Sequence, residues 1–331
     1  MLRIGRKAAV ACAVAVAMAC LAAAKDEETA KKDVEMKKGK AAMASKDFEI
    51  VDEAFRQVLS ADSSVRRICK GRRFTEGPVW MNGKKRLLFS DIPADTIYQW
   101  TEAGGMEVFR KPSHNANGNT TDLRGRLITC EHGSRTVTRT EHGGKVVTIA
   151  SSYRGKKLNS PNDAAVKSDG TIWFTDPPYG IKREQREQKA HYVFRLDKAG
   201  AEPVAVADDF DMPNGLCFSP DEKYLYVADS GRPHHVRRLP VLKGNRLGKG
   251  KVFAVIDPGA PDGIRVDVAG RLYSTAGDGV QVFDVKGKLI GRIHTPQPAA
   301  NCCFGGAGRR TLFITARNAV YMVRLAVAGR K

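Results

Sequence analysis

The sequence predicts an all-β fold, a six-bladed β-propeller with a central metal site. A short motif that starts with an acidic or amide residue occurs six times along the chain. Each start is followed by an apolar stretch, a turn rich in Gly or Asp, and a second apolar stretch. Successive starts are 39 to 52 residues apart, a spacing typical of repeats in which each unit forms one four-stranded blade.

The repeat supplies one oxygen-bearing side chain at the same point of every blade. The six starts are Glu76, Asn117, Asn162, Asn214, Asp262 and Asn301. In a propeller the innermost strand of each blade begins at one mouth of the central channel, and the second strand returns to that mouth. We therefore expect these six side chains to face a single point on the propeller axis.

Each repeat also contains a β-branched or alternating stretch that predicts an outer strand. These stretches are residues 97–100, 137–139, 192–196, 236–239, 280–283 and 320–323. A propeller must close its ring, and an N-terminal strand often completes the last blade. We therefore expect the strand at residues 67–69 to pair with the last blade near residues 320–325, and residues 48–59 to pack on the rim.

The chain divides into a predicted signal peptide, a charged linker and the propeller, at residues 1–24, 25–47 and 48–331. The first segment has a basic start, a short apolar core and small residues at its end, as secretory signals do. The linker is rich in Lys, Glu, Asp and Ala and has almost no large apolar residues. We expect an exported protein, periplasmic or secreted. Cys20 follows small residues, so a lipid anchor at Cys20 is the alternative.

Composition limits the classes of partner that the chain is expected to bind. No long apolar run follows the N-terminus, so we expect no transmembrane span. The formal net charge is +19, but no nucleic-acid motif accompanies it, so we expect a solvated basic surface and no nucleic-acid partner. The five cysteines after the predicted signal peptide are odd in number and lack framework spacing, which indicates buried free thiols.

Four of the repeated side chains form a set of hard oxygen donors. Glu76 and Asp262 are carboxylates, and Asn162 and Asn214 are amides. Such donors bind Ca²⁺, Mg²⁺ or Mn²⁺, and no Cys or His pair at zinc-site spacing accompanies them. An open position on such a cation can polarise a carbonyl oxygen and bind water. The alternative is that these residues are ordinary turn residues at strand starts.

Other polar residues at the predicted mouth have less specific patterns. Asn117 and Asn301 either lie behind the ligands, face the substrate or only form turns. His132 follows Glu131 at a strand end, so it either contacts the substrate or packs. The sequence has no Gly-x-Ser-x-Gly elbow, no phosphate-binding loop and no dinucleotide fingerprint, which argues against those classes of enzyme.

Several ordered motifs resemble the gluconolactonase family, which includes senescence-marker and luciferin-regenerating proteins. The resemblance covers roughly residues 48–327. The motifs are Glu76-Gly77-Pro78-Val79-Trp80, Cys130-Glu131-His132-Gly133, Leu158-Asn159-Ser160-Pro161-Asn162-Asp163, Ile172-Trp173-Phe174-Thr175-Asp176-Pro177-Pro178-Tyr179-Gly180, Met212-Pro213-Asn214-Gly215 and Pro261-Asp262-Gly263.

The resemblance implies a six-bladed propeller hydrolase of lactones, with one divalent cation in its channel. Ca²⁺ is favoured, with Mg²⁺, Mn²⁺ or Zn²⁺ as alternatives. The implied ligands are Glu76, Asn162, Asn214 and Asp262, and Asp262 is also the implied catalytic base or nucleophile. The residues predicted to contact substrate are Asn117, His132, Asn162, Tyr179 and Asn301.

One position departs from the family pattern. Animal gluconolactonases carry an Arg two positions before the third-repeat Asn, where it holds the sugar acid, and this chain has Ser160 there. Three functions therefore stay open. They are a metal-dependent lactonase that opens a sugar lactone to a hydroxy acid, a related hydrolase of another ester or phosphotriester, and a non-catalytic propeller that binds a carbohydrate or protein at the cell envelope.

Overall fold

A computed structural model describes residue 28 and residues 46–330 of the chain. The predicted signal peptide, Cys20 and nearly all of the charged linker lie outside these residues and stay predictions. Six antiparallel sheets fill the described range, and their inner strands contact one another in sequence order until the last meets the first. The prediction of a six-bladed propeller is confirmed.

The strands in the first half are β1 (Phe48–Ile50), β2 (Arg66–Cys69), β3 (Thr75–Met81), β4 (Arg86–Asp91), β5 (Thr96–Thr101), β6 (Gly105–Arg110), β7 (Ala116–Thr121), β8 (Leu127–Glu131), β9 (Thr136–Thr140), β10 (Val146–Ala150), β11 (Ser152–Tyr153), β12 (Lys156–Lys157), β13 (Ala164–Val166) and β14 (Ile172–Asp176). Those in the second half are β15 (Tyr192–Leu196), β16 (Val204–Ala207), β17 (Pro213–Phe218), β18 (Tyr224–Asp229), β19 (His235–Leu242), β20 (Arg246–Leu247), β21 (Lys251–Val255), β22 (Ile264–Val266), β23 (Leu272–Ala276), β24 (Gly279–Phe283), β25 (Leu289–His294), β26 (Asn301–Gly305), β27 (Thr311–Ala316) and β28 (Ala319–Arg324). Short 3-10 helices cover Glu53–Gln57, Asn82–Lys84, Ile92–Ala94, Arg183–Gln185 and Ala307–Arg309.

The six blades form in sequence order along the chain. From the axis outwards they are β3–β6, β7–β10, β13–β16, then β17, β18, β19 and β21, then β22–β25, and finally β26, β27, β28 and β2. The strands β11 and β12 form a separate hairpin between the second and third blades. Within the described range, no helix has both the length and the apolar character needed to cross a membrane.

The N-terminal segment closes the ring. Strand β2 pairs antiparallel with β28, with Arg67 opposite Tyr321, as the sequence predicted. The segment before it does more than pack on the rim, because β1 adds a fifth strand to blade five through its pairing with β25. Phe55 is fully buried against Gly291 of that strand, where a side chain on the glycine would overlap the phenyl ring.

The predicted outer strands are present, and each is the third strand of its blade counted from the axis rather than the edge strand. The stretches at 97–100, 137–139 and their equivalents form the third strand of each blade, and a further strand lies outside them. In blade one this edge strand is β6, whose residues are exposed or half-buried. The apolar residues Met106 and Phe109 of β6 are only partly buried, which gives this edge strand a weak apolar pattern.

Apolar layers between neighbouring blades form the core. The cysteines belong to these layers: all five thiols within residues 46–330 are free and buried, as predicted. Cys302 packs between blades five and six, whereas Cys303 packs between blades six and one. Their opposite orientations follow from the alternation of side chains along a strand and exclude a shared metal or redox site for this pair.

Candidate active site at the first channel mouth

The inner strands begin where the second strands end, and this end of the channel is called the first mouth here. In blade one Thr75 lies opposite Asp91, and in blade four Pro213 lies opposite Asp229. Pairing is irregular immediately after Glu76, Ala116 and Pro213, at β-bulges. Bulges of this kind re-aim side chains and are common beside active sites.

Glycines after the mouth residues let the inner strands approach closely. A side chain at Gly77 would overlap the carbonyl oxygen of Asn117, and one at Gly215 would overlap that of Asp262. The N–H of Gly215 donates to the Asp262 carbonyl at 3.0 Å. Gly77 also has a φ of +50°, in the left-handed region that favours glycine. This packing explains why an acid or amide followed by glycine recurs along the chain.

A row of amides crosses the mouth. Asn117 Nδ2 donates to Asn162 Oδ1 at 2.7 Å, and Asn162 Nδ2 donates to Asn214 Oδ1 at 2.5 Å. The Asn214 side chain in turn hydrogen-bonds the carboxyl group of Asp262. All four side chains are buried or nearly so, which makes the row rigid. The structure thus joins residues from the second, third, fourth and fifth blades.

Two carboxyl groups lie at the same place as the amides. Glu76 Oε2 accepts from Gly77 N–H at 2.6 Å and from Asn301 Nδ2 at 3.0 Å. Burial raises the pKa of Glu76 to about 7, and the Asp163 carboxylate contributes to this shift. Burial likewise raises the pKa of Asp262 well above its usual range, with the charges of Glu76 and Asp163 next in importance. The site therefore favours either protons or a bound cation.

The residues present fit a divalent cation. Glu76 and Asp262 form no ion pair with a Lys or Arg of the described chain, and the buried Asn117 Oδ1 has no hydrogen-bond partner there. A cation would compensate the two carboxylates and use oxygen donors, which hard cations prefer. Residues 46–330 contain no group of three His, Cys, Asp or Glu side chains suited to a metal, so the fit depends on the amides Asn162 and Asn214.

His132 forms the end of the amide row. It is buried, and its Nε2 lies 3.1 Å from Asn117 Nδ2, which donates when the imidazole is neutral. Burial lowers the pKa of His132 to about 4. A side chain at Gly180 would overlap the His132 ring, so the loop that contains Gly180 rests on this histidine. His132 contacts that loop and the amides, which makes it a support of the site's wall.

The low pKa of His132 predicts a loss of stability in acid. Between pH 6.5 and 4 the unfolded chain binds a proton that the folded chain excludes, so the free energy of unfolding falls as the pH falls. The shift in pKa corresponds to about 3 kcal/mol. His132→Gln keeps an acceptor for Asn117 but does not titrate. In urea denaturation, the free energy of unfolding of this variant relative to that of the wild type should rise by about 3 kcal/mol as the pH is lowered from 7 to 4. The exposed His142→Gln variant should show no gain, and equal gains in both variants would refute the assignment.

Tyr179 projects over the site from the loop after β14. Its ring is 45% exposed, whereas its hydroxyl group hydrogen-bonds the side chains of Ser230 and Asn214. Burial of the hydroxyl and the charge of Asp262 raise the pKa of Tyr179 to about 12, so the phenol stays protonated at neutral pH. A protonated phenol beside Asp262 can donate a hydrogen bond to a polar ligand.

Ser160 fixes the loop that carries Tyr179. It is fully buried, its Oγ donates to the Pro177 carbonyl at 2.6 Å, and the Gly180 N–H donates to the same Oγ at 2.9 Å. The residue at the position where animal gluconolactonases carry arginine is therefore occupied by hydrogen bonds within the protein. It bridges the start of blade three to the loop of Tyr179.

Carboxylates at the ends of two second strands bind backbone N–H groups. Asp91 accepts from the backbone N–H groups of Arg73 and Phe74, and Asp229 accepts from those of Asp211 and Met212. These two side chains hold the segments that lead into the inner strands β3 and β17.

Two charged residues that the sequence analysis left without a role lie directly beneath the site. Asp163 is fully buried, and its Oδ2 lies 3.3 Å from Arg265 Nη1. Asp163 follows Asn162 at the position where Asn214 and Asp262 are followed by glycine. This break in the repeat is the signal that could have identified it. Arg265 is an arginine inside an inner strand, and its charge lowers the pKa of Glu76.

Known proteins resemble this chain over most of its length. Residues 74–318 match the family model described as the SMP-30/gluconolactonase/LRE-like region. A gluconolactonase from Zymomonas mobilis is 32% identical over 301 residues, covering 82% of this chain and 84% of the relative. A solved gluconolactonase structure from Xanthomonas campestris is 37% identical with a TM-score of 0.80, covering 85% of this chain and 96% of the other. A calcium-binding regucalcin from Agrobacterium tumefaciens is 20% identical with a TM-score of 0.68, covering 81% and 96%, and shares the fold.

Proposed function

Since the chain belongs to the SMP-30/gluconolactonase/LRE-like family and is a gluconolactonase-like hydrolase of lactone bonds, we propose that it opens a sugar lactone to the hydroxy acid at its first mouth. The observation that carries this proposal is the pair of neighbouring carboxyl groups, of which Asp262 hydrogen-bonds the row of amides and Glu76 hydrogen-bonds Asn301. Buried acids with raised pKa values and no cationic partner are typical of catalytic and metal sites.

Asp262 is the residue best placed to move a proton. Its carboxyl group hydrogen-bonds Asn214 at the first mouth, where it can accept a proton from a water molecule as that water attacks the lactone carbonyl carbon. The bond between that carbon and the ring oxygen then breaks, and the ring oxygen takes up the proton from Asp262. The product is a hydroxy acid, and Asp262 regains its starting form.

The remaining residues orient the reactants. Tyr179 donates a hydrogen bond at the entrance, and the amide row fixes the side chains of Asn162 and Asn214. The proposed cofactor is one divalent cation held by Glu76, Asn162, Asn214 and Asp262, and Ca²⁺ is proposed because the structural relative regucalcin is calcium-binding. When bound, such a cation supplies Lewis-acid polarisation of a carbonyl oxygen.

The test is hydrolysis of glucono-1,5-lactone by the purified protein. Activity is measured with chelator and then after addition of Ca²⁺, Mg²⁺, Mn²⁺ or Zn²⁺. Loss of activity with chelator and recovery with one ion supports the proposal and identifies the metal. If a folded protein prefers a phosphotriester to every lactone of a substrate panel, the sugar-lactone proposal is wrong and the phosphotriesterase alternative holds. If the folded protein hydrolyses neither class of ester with any ion, the binding propeller becomes the better hypothesis.

Loss of the Ser160 hydroxyl should weaken substrate binding through the loop of Tyr179. Ser160→Ala leaves the Pro177 carbonyl and the Gly180 N–H without their partner, so we expect the free energy of unfolding to fall by about 1–3 kcal/mol. We also expect KM for the lactone to rise several-fold with little change in kcat. The control is Ser60→Ala on the outer rim, which should leave KM unchanged. A fall in kcat at constant KM would contradict a positioning role for Ser160.

A further inference from the structure

The channel has a second mouth, at the far ends of the inner strands. Strands β7, β13, β17 and β22 end at Thr121, Val166, Phe218 and Val266, and these residues line a cavity of about 390 Å³. Arg330 closes one side, because its N–H donates to the Val266 carbonyl at 3.0 Å. The volume lies within the ~300–1,000 Å³ range of small-molecule sites.

Guanidinium groups dominate the charge of this cavity. Arg265, Arg309 and Arg330 line it, against the two carboxylates Asp122 and Glu222. Both carboxylates are already paired: Asp122 lies 2.7 Å from an arginine outside the lining, and Glu222 forms an ion pair with Arg330. The lining carboxylates therefore leave Arg309 without a partner, and the carboxylate that pairs with Arg265 is Asp163, which lies outside the lining.

Arg309 has no carboxylate partner within residues 46–330. Its Nε and Nη2 donate instead to the backbone carbonyls of Gly329 and Arg330, at 3.3 and 2.6 Å. Burial lowers the pKa of Arg309, and the neighbouring charges of Arg265 and Arg330 lower it further. A partly buried cation beside two like charges is unfavourable unless an anion approaches it.

Arg265 forms the floor of the cavity. Its Nη1 lies 3.3 Å from Asp163 Oδ2 and donates to its neighbour's carbonyl, that of Ile264, at 2.6 Å. Burial alone would lower the pKa of Arg265, and the Asp163 carboxylate instead holds it above its ordinary value. The floor of the second mouth is thus a guanidinium group that stays charged and is held in place by Asp163 from the side of the first mouth.

We propose that the second mouth binds a small oxyanion, a carboxylate or a phosphate carried by a polar molecule. Arginine is the side chain best suited to such groups, because its planar fork can donate two parallel hydrogen bonds to one oxyanion. The anion pairs with Arg309 and Arg265 and relieves their repulsion. This site lies at the opposite end of the channel from the amide row and does not depend on lactone hydrolysis.

The experiment is calorimetric titration of the purified chain with sodium phosphate and, separately, sodium gluconate. Sodium chloride keeps the ionic strength constant, so screening alone cannot produce a difference. We expect saturable binding of at least one anion with a Kd of about 1 mM or below. Binding of phosphate alone or gluconate alone identifies which oxyanion the site prefers. No saturable heat with either anion from a folded protein overturns the proposal.

Variants locate the bound anion. Arg309→Met removes the unpaired cation, and Thr121→Glu adds a carboxylate to the cavity wall without removing an arginine. Both should weaken binding by about tenfold or more, whereas Arg67→Met, which removes an exposed arginine from β2, should not. If Arg309→Met fails to fold, Thr121→Glu decides. Binding that survives Thr121→Glu but is lost in Asp262→Asn places the anion at the first mouth and refutes the proposal.

Discussion

Replacing Asp262 with Asn should reduce kcat/KM for the lactone by about 10³-fold while the propeller stays folded. Asparagine has the same shape and can still interact with Asn214, but it cannot accept a proton from water. The variant also removes a buried carboxyl group whose pKa is raised by burial and by Glu76, so the protein without metal should lose no stability. Initial rates at several lactone concentrations and thermal unfolding measure the two effects.

The matched control is Asp278→Asn. Asp278 lies in the same blade, just after β23, and is paired with Arg292 at 3.0 Å rather than with the amide row. This variant should keep nearly full activity. A folded Asp262→Asn protein with wild-type activity would show that the proposed base is wrong.

Replacing Glu76 with Gln should stabilise the metal-free protein and abolish its response to calcium. Because the pKa of Glu76 is raised from 4.5 to about 7, the metal-free wild type loses stability as the pH rises through this range. Glutamine keeps acceptors for Gly77 and Asn301 but carries no charge. We expect the variant to be more stable than the wild type by about 3 kcal/mol at pH 8 with chelator, and to have no such advantage near pH 4.

Calcium should remove most of this difference in stability. A cation that binds only the folded wild type adds about 2.7 kcal/mol at a hundred times its Kd, and the variant should gain little. The measurement is urea denaturation at pH 8 with chelator and with Ca²⁺, and Glu102→Gln on the surface is the control. Equal stabilisation of wild type and Glu76→Gln by Ca²⁺ would exclude Glu76 as a ligand.

Much of the first mouth follows from the repeat in the sequence. Glu76, Asn162, Asn214 and Asp262 lie at or just before the start of equivalent inner strands, and symmetry brings equivalent positions together on one axis. Their assignment as metal ligands and catalytic base stays a prediction, which the variants above test. The pairing of β2 with β28 followed in the same way, because a propeller ring must close.

The repeat does not predict the contacts of residues that differ between blades. Asp163 and Arg265 form one buried ion pair, although they are about a hundred positions apart and belong to different blades. Ser160 contacts a loop that lies some twenty residues along the chain, and nothing in its own motif indicates this contact. Such contacts depend on which segments the fold brings together, and no local sequence pattern predicts this.

The sequence by itself determined the fold class, the number of blades and the ring of oxygen-bearing side chains, because each depends on a pattern repeated in every blade. Only the tertiary structure decided what each polar group does there. Burial separates Glu76 and Asp262, whose pKa values rise, from the surface carboxylates with the same side chains. The fold also brings together Arg265, Arg309 and Arg330, which are apart in the sequence, at the second mouth. Burial and charge pairing are properties of three-dimensional neighbours, and the chain's order does not fix them.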